Sequence, residues 1–347
     1  MEINMKKIKW GVIGCGGIAD RRTIPGMMLT SNCELVAVMD TNYEVAQKVA
    51  AKYGAKIATA DYREILANDE IEAVYIASPV FCHKEQAIAA AKAKKHILLE
   101  KPIGINFAET REIISACRRE KVKLGVGFMM RYSTYHMAMK DIIASGKIGE
   151  IVSMRGQFTC WYPDMENCWR QNKALSGGGA LMDMGIHCID LLQYISGLSA
   201  VECRGYVQTQ TFNYNVDDSA SVVMKMENGA TAYVDANFNI PDAAARCPLE
   251  FYGTRGSIIA NGTLAQNDTG NVEILVCPED KGYDAQQDRS TVEPLELNVT
   301  FGNMYTRELE AFAKAILSDT EPPVNAENTL LTHKIIDTIY RRGGGKL

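Results

Sequence analysis

Apolar residues in the first third of the chain fall into short continuous runs separated by amphipathic stretches. Ile8 to Ile13 reads as a strand and Ile18 to Leu29 as a helix. Leu35 to Met39 is a second strand and Glu44 to Tyr53 a second helix. The alternation continues through strand Ala73 to Ala77, helix Lys84 to Lys94, strand His96 to Leu99, helix Phe107 to Glu120 and strand Lys123 to Gly127. Strands this short and apolar on both faces belong in a parallel sheet covered by helices. The repeated strand–helix order predicts a doubly wound α/β domain over residues 1–127.

The rhythm then changes. Helix Tyr135 to Ser145 is followed by longer alternating segments: Ile151 to Trp161, Val201 to Gln208, Ser219 to Met226, Ala230 to Asn237, Leu249 to Tyr252 and Val272 to Val276. Asn228-Gly229 between two of them is a hairpin signal. Residues 128–347 are expected to form an α+β domain with a mainly antiparallel sheet. Helices Tyr305 to Leu317 and Thr329 to Tyr340 close the chain, and the Gly343-Gly344-Gly345 tail reads as frayed.

Composition removes several classes of function. The 347 residues carry a formal net charge of -5 and 47% apolar residues, an ordinary globular balance. Basic runs are short, as at Arg118-Arg119, so no footprint for nucleic acid is expected. No apolar run reaches the roughly 20 residues that span a bilayer. Met1 to Trp10 lacks the long apolar core of a secretory leader. The 10 cysteines include no CxxC pair and scatter through apparent core elements. That usage suits a reducing cytoplasm better than a disulfide framework. Cys160 and Cys168 have no matching second pair, so no metal is expected.

Gly14-Cys15-Gly16-Gly17-Ile18-Ala19 follows the first strand and opens the first helix. Gly14 permits a tight turn, Gly16 lets the backbone approach a pyrophosphate, and Ala19 lets helix and strand pack closely. Gly17 and Ile18 lie at the helix N-terminus, where free N–H groups and the dipole favour phosphate. Asp40 ends the second strand, placed to accept from ribose hydroxyls and to repel a 2′-phosphate, which favours NAD over NADP. Asn42 competes with it for the cap of the next helix. Ser78 and Pro79, with His83 shortly after, end another strand at the edge where ligands bind in such sheets.

Glu100-Lys101-Pro102 ends the next strand at the same edge. A lysine there can polarise a carbonyl or stabilise an alkoxide. Its bland alternative is a surface ion pair. Gly177-Gly178-Gly179 precedes a predicted helix, Ala180 to Asp190, on which Asp183 and His187 lie four residues apart on one face. Such a pair suits general acid/base work, or a plain structural hydrogen bond.

Together these residues resemble the glucose–fructose oxidoreductase and inositol dehydrogenase family. The likeness runs through Gly14 to Ala19, Ser78-Pro79 with His83, Glu100-Lys101-Pro102, Trp169-Arg170, Asp183 with His187, and the turn Gly253 to Ile258. It departs at Val80, where an asparagine is common, and at Phe128-Met129-Met130 before Arg131. The resemblance implies a Rossmann domain followed by an open-faced sheet domain, with substrate between them over the nicotinamide. It implies catalysis by Lys101, Asp183 and His187, with NAD held by Gly14, Gly16, Gly17, Ile18, Asp40, Ser78, Pro79, His83, Glu100 and Lys101. Substrate contacts are expected from Lys101, Arg131, Tyr162, Trp169, Arg170, Asp183 and His187.

The expected activity is hydride transfer between nicotinamide and a secondary alcohol of a sugar, glycoside or inositol. A redox-assisted glycoside hydrolase or lyase is an alternative, as is a non-catalytic dinucleotide sensor. The expected partners are a small polyol and further copies of the chain, as a homodimer or homotetramer.

Overall fold

The structure, a computed structural model, describes residues 6–277, 282–283, 285–287 and 292–347. Residues 1–5, part of the segment weighed above as a leader, lie outside it. The chain forms two compact units. The first comprises 1–132, 172–177 and 303–333; the second comprises 133–171, 178–302 and 334–347.

The first unit is built on a parallel sheet of β1 (Ile8–Ile13), β2 (Cys33–Met39), β3 (Ile57–Thr59), β4 (Ala73–Ile76), β5 (His96–Glu100) and β6 (Leu124–Gly127). Its order, β3-β2-β1-β4-β5-β6, is doubly wound. The order reverses between β1 and β4, which opens a crevice at their C-terminal ends. Strand β3 and helix Tyr62–Ala67 escaped the sequence pattern because each is too short to show a period. The predicted first helix is broken into a π-type turn, Ala19–Thr23, and a short helix, Ile24–Met27. Pro25 lacks the N–H that would carry one ladder through. Helix Phe107–Glu120 forms as expected, with Asn106 accepting from Glu109 N.

A single cut after Gly127 does not describe the units. Helix Met304–Leu317 belongs to the first, where Leu309, Phe312 and Ala313 join the core around Trp10. The Trp10 and Phe312 rings lie 5.6 Å apart. The helix covers apolar strand surface that would otherwise face water.

The second unit holds β7 (Ile151–Thr159), β8 (Ala200–Gln208), β9 (Ser219–Met226), β10 (Thr231–Asn237), β11 (Leu249–Gly253), β12 (Gly256–Asn261), β13 (Asn271–Val276) and β14 (Gly344–Lys346). They form one sheet in the order β13-β12-β11-β7-β10-β9-β8-β14. Only β7 and β10 pair in parallel; the remaining pairs are antiparallel. The Asn228-Gly229 turn joins β9 to β10, with Gly229 at φ +91°. The turn near Thr254 joins β11 to an unforeseen strand, β12. The tail is not frayed: Gly344 to Lys346 pair with Arg204 to Glu202 of β8. They satisfy backbone groups on an edge strand that would otherwise be open.

Candidate active site

In the first unit the glycine turn is shaped by close approach. Gly14 has φ +82°, and a Cβ there would lie 2.6 Å from Ser78 N. Its N–H and that of Cys15 both donate to Met39 O at 2.9 Å, tying β1 to β2. A Cβ on Gly17 would meet nothing within 4 Å, so this part of the turn is open. Asn42 takes the helix cap by accepting from Glu44 N, which leaves Asp40 for another role. The Asp40 carboxylate accepts from Gly16 N at 3.2 Å and Asn42 N at 3.0 Å. An open helix N-terminus beside an oriented carboxylate fits a dinucleotide, with Gly16 to Ile18 for the pyrophosphate and Asp40 for a ribose.

Two buried imidazoles grip the turn after Lys101. His83 is 1% exposed, and its ring nitrogens lie 3.0 Å from Pro102 O and 2.9 Å from Ser78 O. It therefore straps the β4 and β5 loops together from inside, a role distinct from the expected contact with a cofactor. Spacing alone cannot tell those roles apart. On the other side His333 Nε2 accepts from Ile103 N at 3.0 Å, and its Nδ1 donates to Thr329 O at 3.0 Å. His333 carries no signal in the sequence, because its partner is 230 residues away. Glu100 accepts from Tyr75 OH at 2.5 Å and from Lys101 N at 3.2 Å, and Thr23 donates to the same Tyr75 oxygen. This carboxylate is engaged by its own unit, as a brace behind the lysine. Ser78 Oγ donates to Gln86 Oε1, and Pro79 precedes helix Val80–Lys92. Arg131 is 6% exposed, with its guanidinium on Asn328 Oδ1 at 3.1 Å, the position of a structural brace.

In the second unit, Asp183 lies in a π-type turn, Leu181–Gly185, that leads into helix Ile186–Ser196 bearing His187. Such wide turns occur often at functional sites. His187 is 4% exposed, and the Phe158 ring meets it edge-on with centroids 6.0 Å apart. The start of this segment is held by Asp217. Its carboxylate accepts from Gly179 N at 2.8 Å, Leu181 N at 2.9 Å and Tyr340 OH at 2.8 Å, and its carbonyl accepts from Ala180 N. Burial pushes the Asp217 carboxyl up in pKa, and those donors pull against it. A Cβ on Gly178 would strike the Tyr340 hydroxyl, and one on Gly179 the Asp217 carbonyl. The glycines thus serve close packing on protein.

Tyr162 is half-buried, with its hydroxyl 3.1 Å from Cys168 Sγ. Its pKa is raised by burial and by Cys168, while Arg170 lowers it and Asp183 raises it, so all three side chains act on one hydroxyl. Arg170 stacks over the Trp169 ring at 4.4 Å. No cysteine among the described residues is in a disulfide. Among the described residues no helix is long and apolar enough to cross a membrane.

The chain is similar to known proteins in sequence and in fold. Residues 8–128 match the oxidoreductase family with an NAD-binding Rossmann fold, and residues 136–259 match the GFO/IDH/MocA C-terminal domain. The chain is 27% identical to a 1,5-anhydro-D-fructose reductase of Ensifer adhaerens, covering 92% of this chain and 91% of that one. It is 31% identical to oxidoreductase P35 of Formosa agariphila, covering 73% and 78%. In fold it superposes on the aldose-aldose oxidoreductase of Caulobacter crescentus with a TM-score of 0.88 at 22% identity, covering 99% and 100%.

The imidazole grip has a pH signature. Burial depresses both His83 and His333 to about 4, although the carbonyls they face favour the charged ring. An unfolded histidine titrates near 6.5. Between those values the unfolded chain binds more protons, so stability rises with pH. The contribution, on the order of 3 kcal/mol per ring, is complete above pH 6.5 and lost as pH falls toward 4. Thermal unfolding midpoints should drop through that window, and His333→Gln should flatten the drop. A variant with the wild-type slope would contradict the grip.

Proposed function

Because this chain belongs to the GFO/IDH/MocA oxidoreductase family, we propose that it transfers a hydride between NAD and a secondary alcohol of a sugar, glycoside or inositol. The observation that carries this reading is the Lys101 turn. It sits at the C-terminal edge of the parallel sheet beside the Gly14–Asp40 cradle, fixed by His83 and His333. Bound NAD supplies the hydride acceptor or donor.

The chain's own residues handle the proton and the developing charge. Lys101 hydrogen-bonds the reacting oxygen and stabilises alkoxide character. His187 exchanges the hydroxyl proton, with Asp183 orienting its ring. Tyr162, Trp169 and Arg170 contribute an aromatic and cationic wall suited to a polyol. Phe158 excludes water from one side of the imidazole, which strengthens its electrostatic interactions.

Asp40 supports NAD over NADP, since a fixed carboxylate repels a 2′-phosphate. Calorimetric titration of both cofactors should find NAD tighter by at least about tenfold, one unit on the affinity scale. Asp40→Ala should narrow that gap. Tighter binding of NADP by the wild type would overturn the preference.

Loss of a general acid/base costs about 10²–10⁴-fold. Lys101→Ala and His187→Ala should each lower kcat by that order in NAD+ reduction, with NAD affinity little changed. A His187→Ala enzyme of near-normal turnover would end this assignment.

Val152, Val201, Tyr206, Val223, Tyr233 and Tyr252 are exposed on strands of the second unit's sheet. Val223 and Tyr233 are directly paired neighbours. Such a face favours burial against another copy, as a homodimer or homotetramer. Light scattering at micromolar concentration should read a multiple of 38.3 kDa; a single-chain mass would contradict it.

A further inference from the structure

Four strand ends of the second unit's sheet lie in one row. Thr159 of β7 pairs with Asn237 of β10, Asn237 with Ser219 of β9, and Ser219 with Gln208 of β8. The segments leaving this row, 160–171, 209–218 and 238–248, therefore rise from the edge that also carries Phe158 and, against it, His187.

These loops carry a connected series of aromatic rings. The Trp161 and Phe212 centroids lie 5.2 Å apart at 73°, and those of Phe212 and Tyr214 lie 5.4 Å apart. Tyr214 OH donates to Tyr162 O at 3.1 Å, and the Tyr162 ring packs on Phe238 at 4.9 Å. The Tyr162 hydroxyl is in turn acted on by Asp183 and Arg170. The series runs from Phe238, next to the end of β10, to Trp161, which is 44% exposed.

The loops are held rigid by their own bonds. Asp218 accepts from Gln210 N, Thr211 N and Phe212 N at 2.9, 2.7 and 3.1 Å. Asn213 N donates to Asp164 Oδ1 at 3.1 Å, joining the two loops that carry Trp161 and Phe212. Asn239 Nδ2 donates to Thr211 Oγ1 and Ser219 Oγ, both at 2.9 Å. A surface ordered in advance binds a ligand without a further ordering cost.

The chemistry of this edge narrows its occupant. The exposed Trp161 ring can take up the C–H face of a pyranose, and Asp164 and Asn213, exposed on the adjoining loops, can meet its hydroxyls. A wholly apolar partner would bury those polar groups without replacing their hydrogen bonds. We infer that this edge is a subsite for the second ring of a glycoside whose first ring is oxidised beside Asp183 and His187. The inference rests on the function proposed above and adds to it that the substrate is larger than a monosaccharide. Only binding is involved, so the hydride balance is unchanged.

The test is calorimetric titration of the NAD+-saturated chain with one-ring and two-ring sugars in the gluco, galacto, manno and xylo series. In at least one series the disaccharide should bind about tenfold tighter than its monosaccharide, a gain typical of a filled pocket. Trp161→Ala and Phe212→Ala should each erase that gain and leave the monosaccharide Kd within about twofold. Equal affinities in every series, or a gain that survives both substitutions, would overturn the inference. So would a change of mass in light scattering with the sugar affinities intact, since the edge would then be a contact between copies. A preserved two-ring advantage with no NADH formed from any of these sugars would instead overturn the proposed function and leave the subsite standing.

Discussion

Backbone N–H groups that turn away from a helix or strand must find acceptors, and the candidate residues of each unit depend on how this chain supplies them. Asp217 serves Gly179 and Leu181 with its carboxylate and Ala180 with its carbonyl. The segment bearing Asp183 and His187 thus begins from a fixed point. Its neighbour Asp218 does the same for the loop after β8. In the first unit His333 accepts from Ile103. Leaving such a buried group unsatisfied costs about 1–3 kcal/mol. Each of these side chains therefore fixes a loop conformation as well as stabilising it.

Of the residues at the β4 and β5 ends, His83 and Glu100 are turned to protein partners. Glu308 is buried, and burial together with the Glu100 carboxylate pushes its pKa up.

Local chemistry was the legible part of the sequence. Gly14 to Ala19, Asp40 and Lys101 could be placed because strand ends and helix starts are punctuated by glycine, asparagine and proline over a few residues. The helix over Phe107–Glu120 shows several full periods and a cap. What stayed hidden depends on distance along the chain or on backbone alone. Asp217 acts 38 residues from Gly179, and Phe312 returns to pack on Trp10. The tail strand consists largely of glycine, with no side-chain period to betray pairing. His83 was visible but ambiguous, since a buried strap and a ligand contact share one spacing. Trp169-Arg170 announced an aromatic loop, but the row of strand ends that aligns Trp161 with Phe212 appears only once the sheet register is known.

The central claim is a net hydride transfer from a polyol carbon to NAD+. It is tested most directly with sugars, inositols and methyl glycosides deuterated at their carbinol carbons, incubated with the chain and NAD+. Mass spectrometry of the recovered nucleotide is the readout. The account predicts NADH carrying one deuterium at nicotinamide C4, with an equal amount of ketone or lactone. Cleavage of a glycoside with no accumulation of labelled NADH would contradict it and point to a redox-assisted hydrolase. Binding of NAD+ without any label transfer across the panel would contradict it in favour of a dinucleotide sensor.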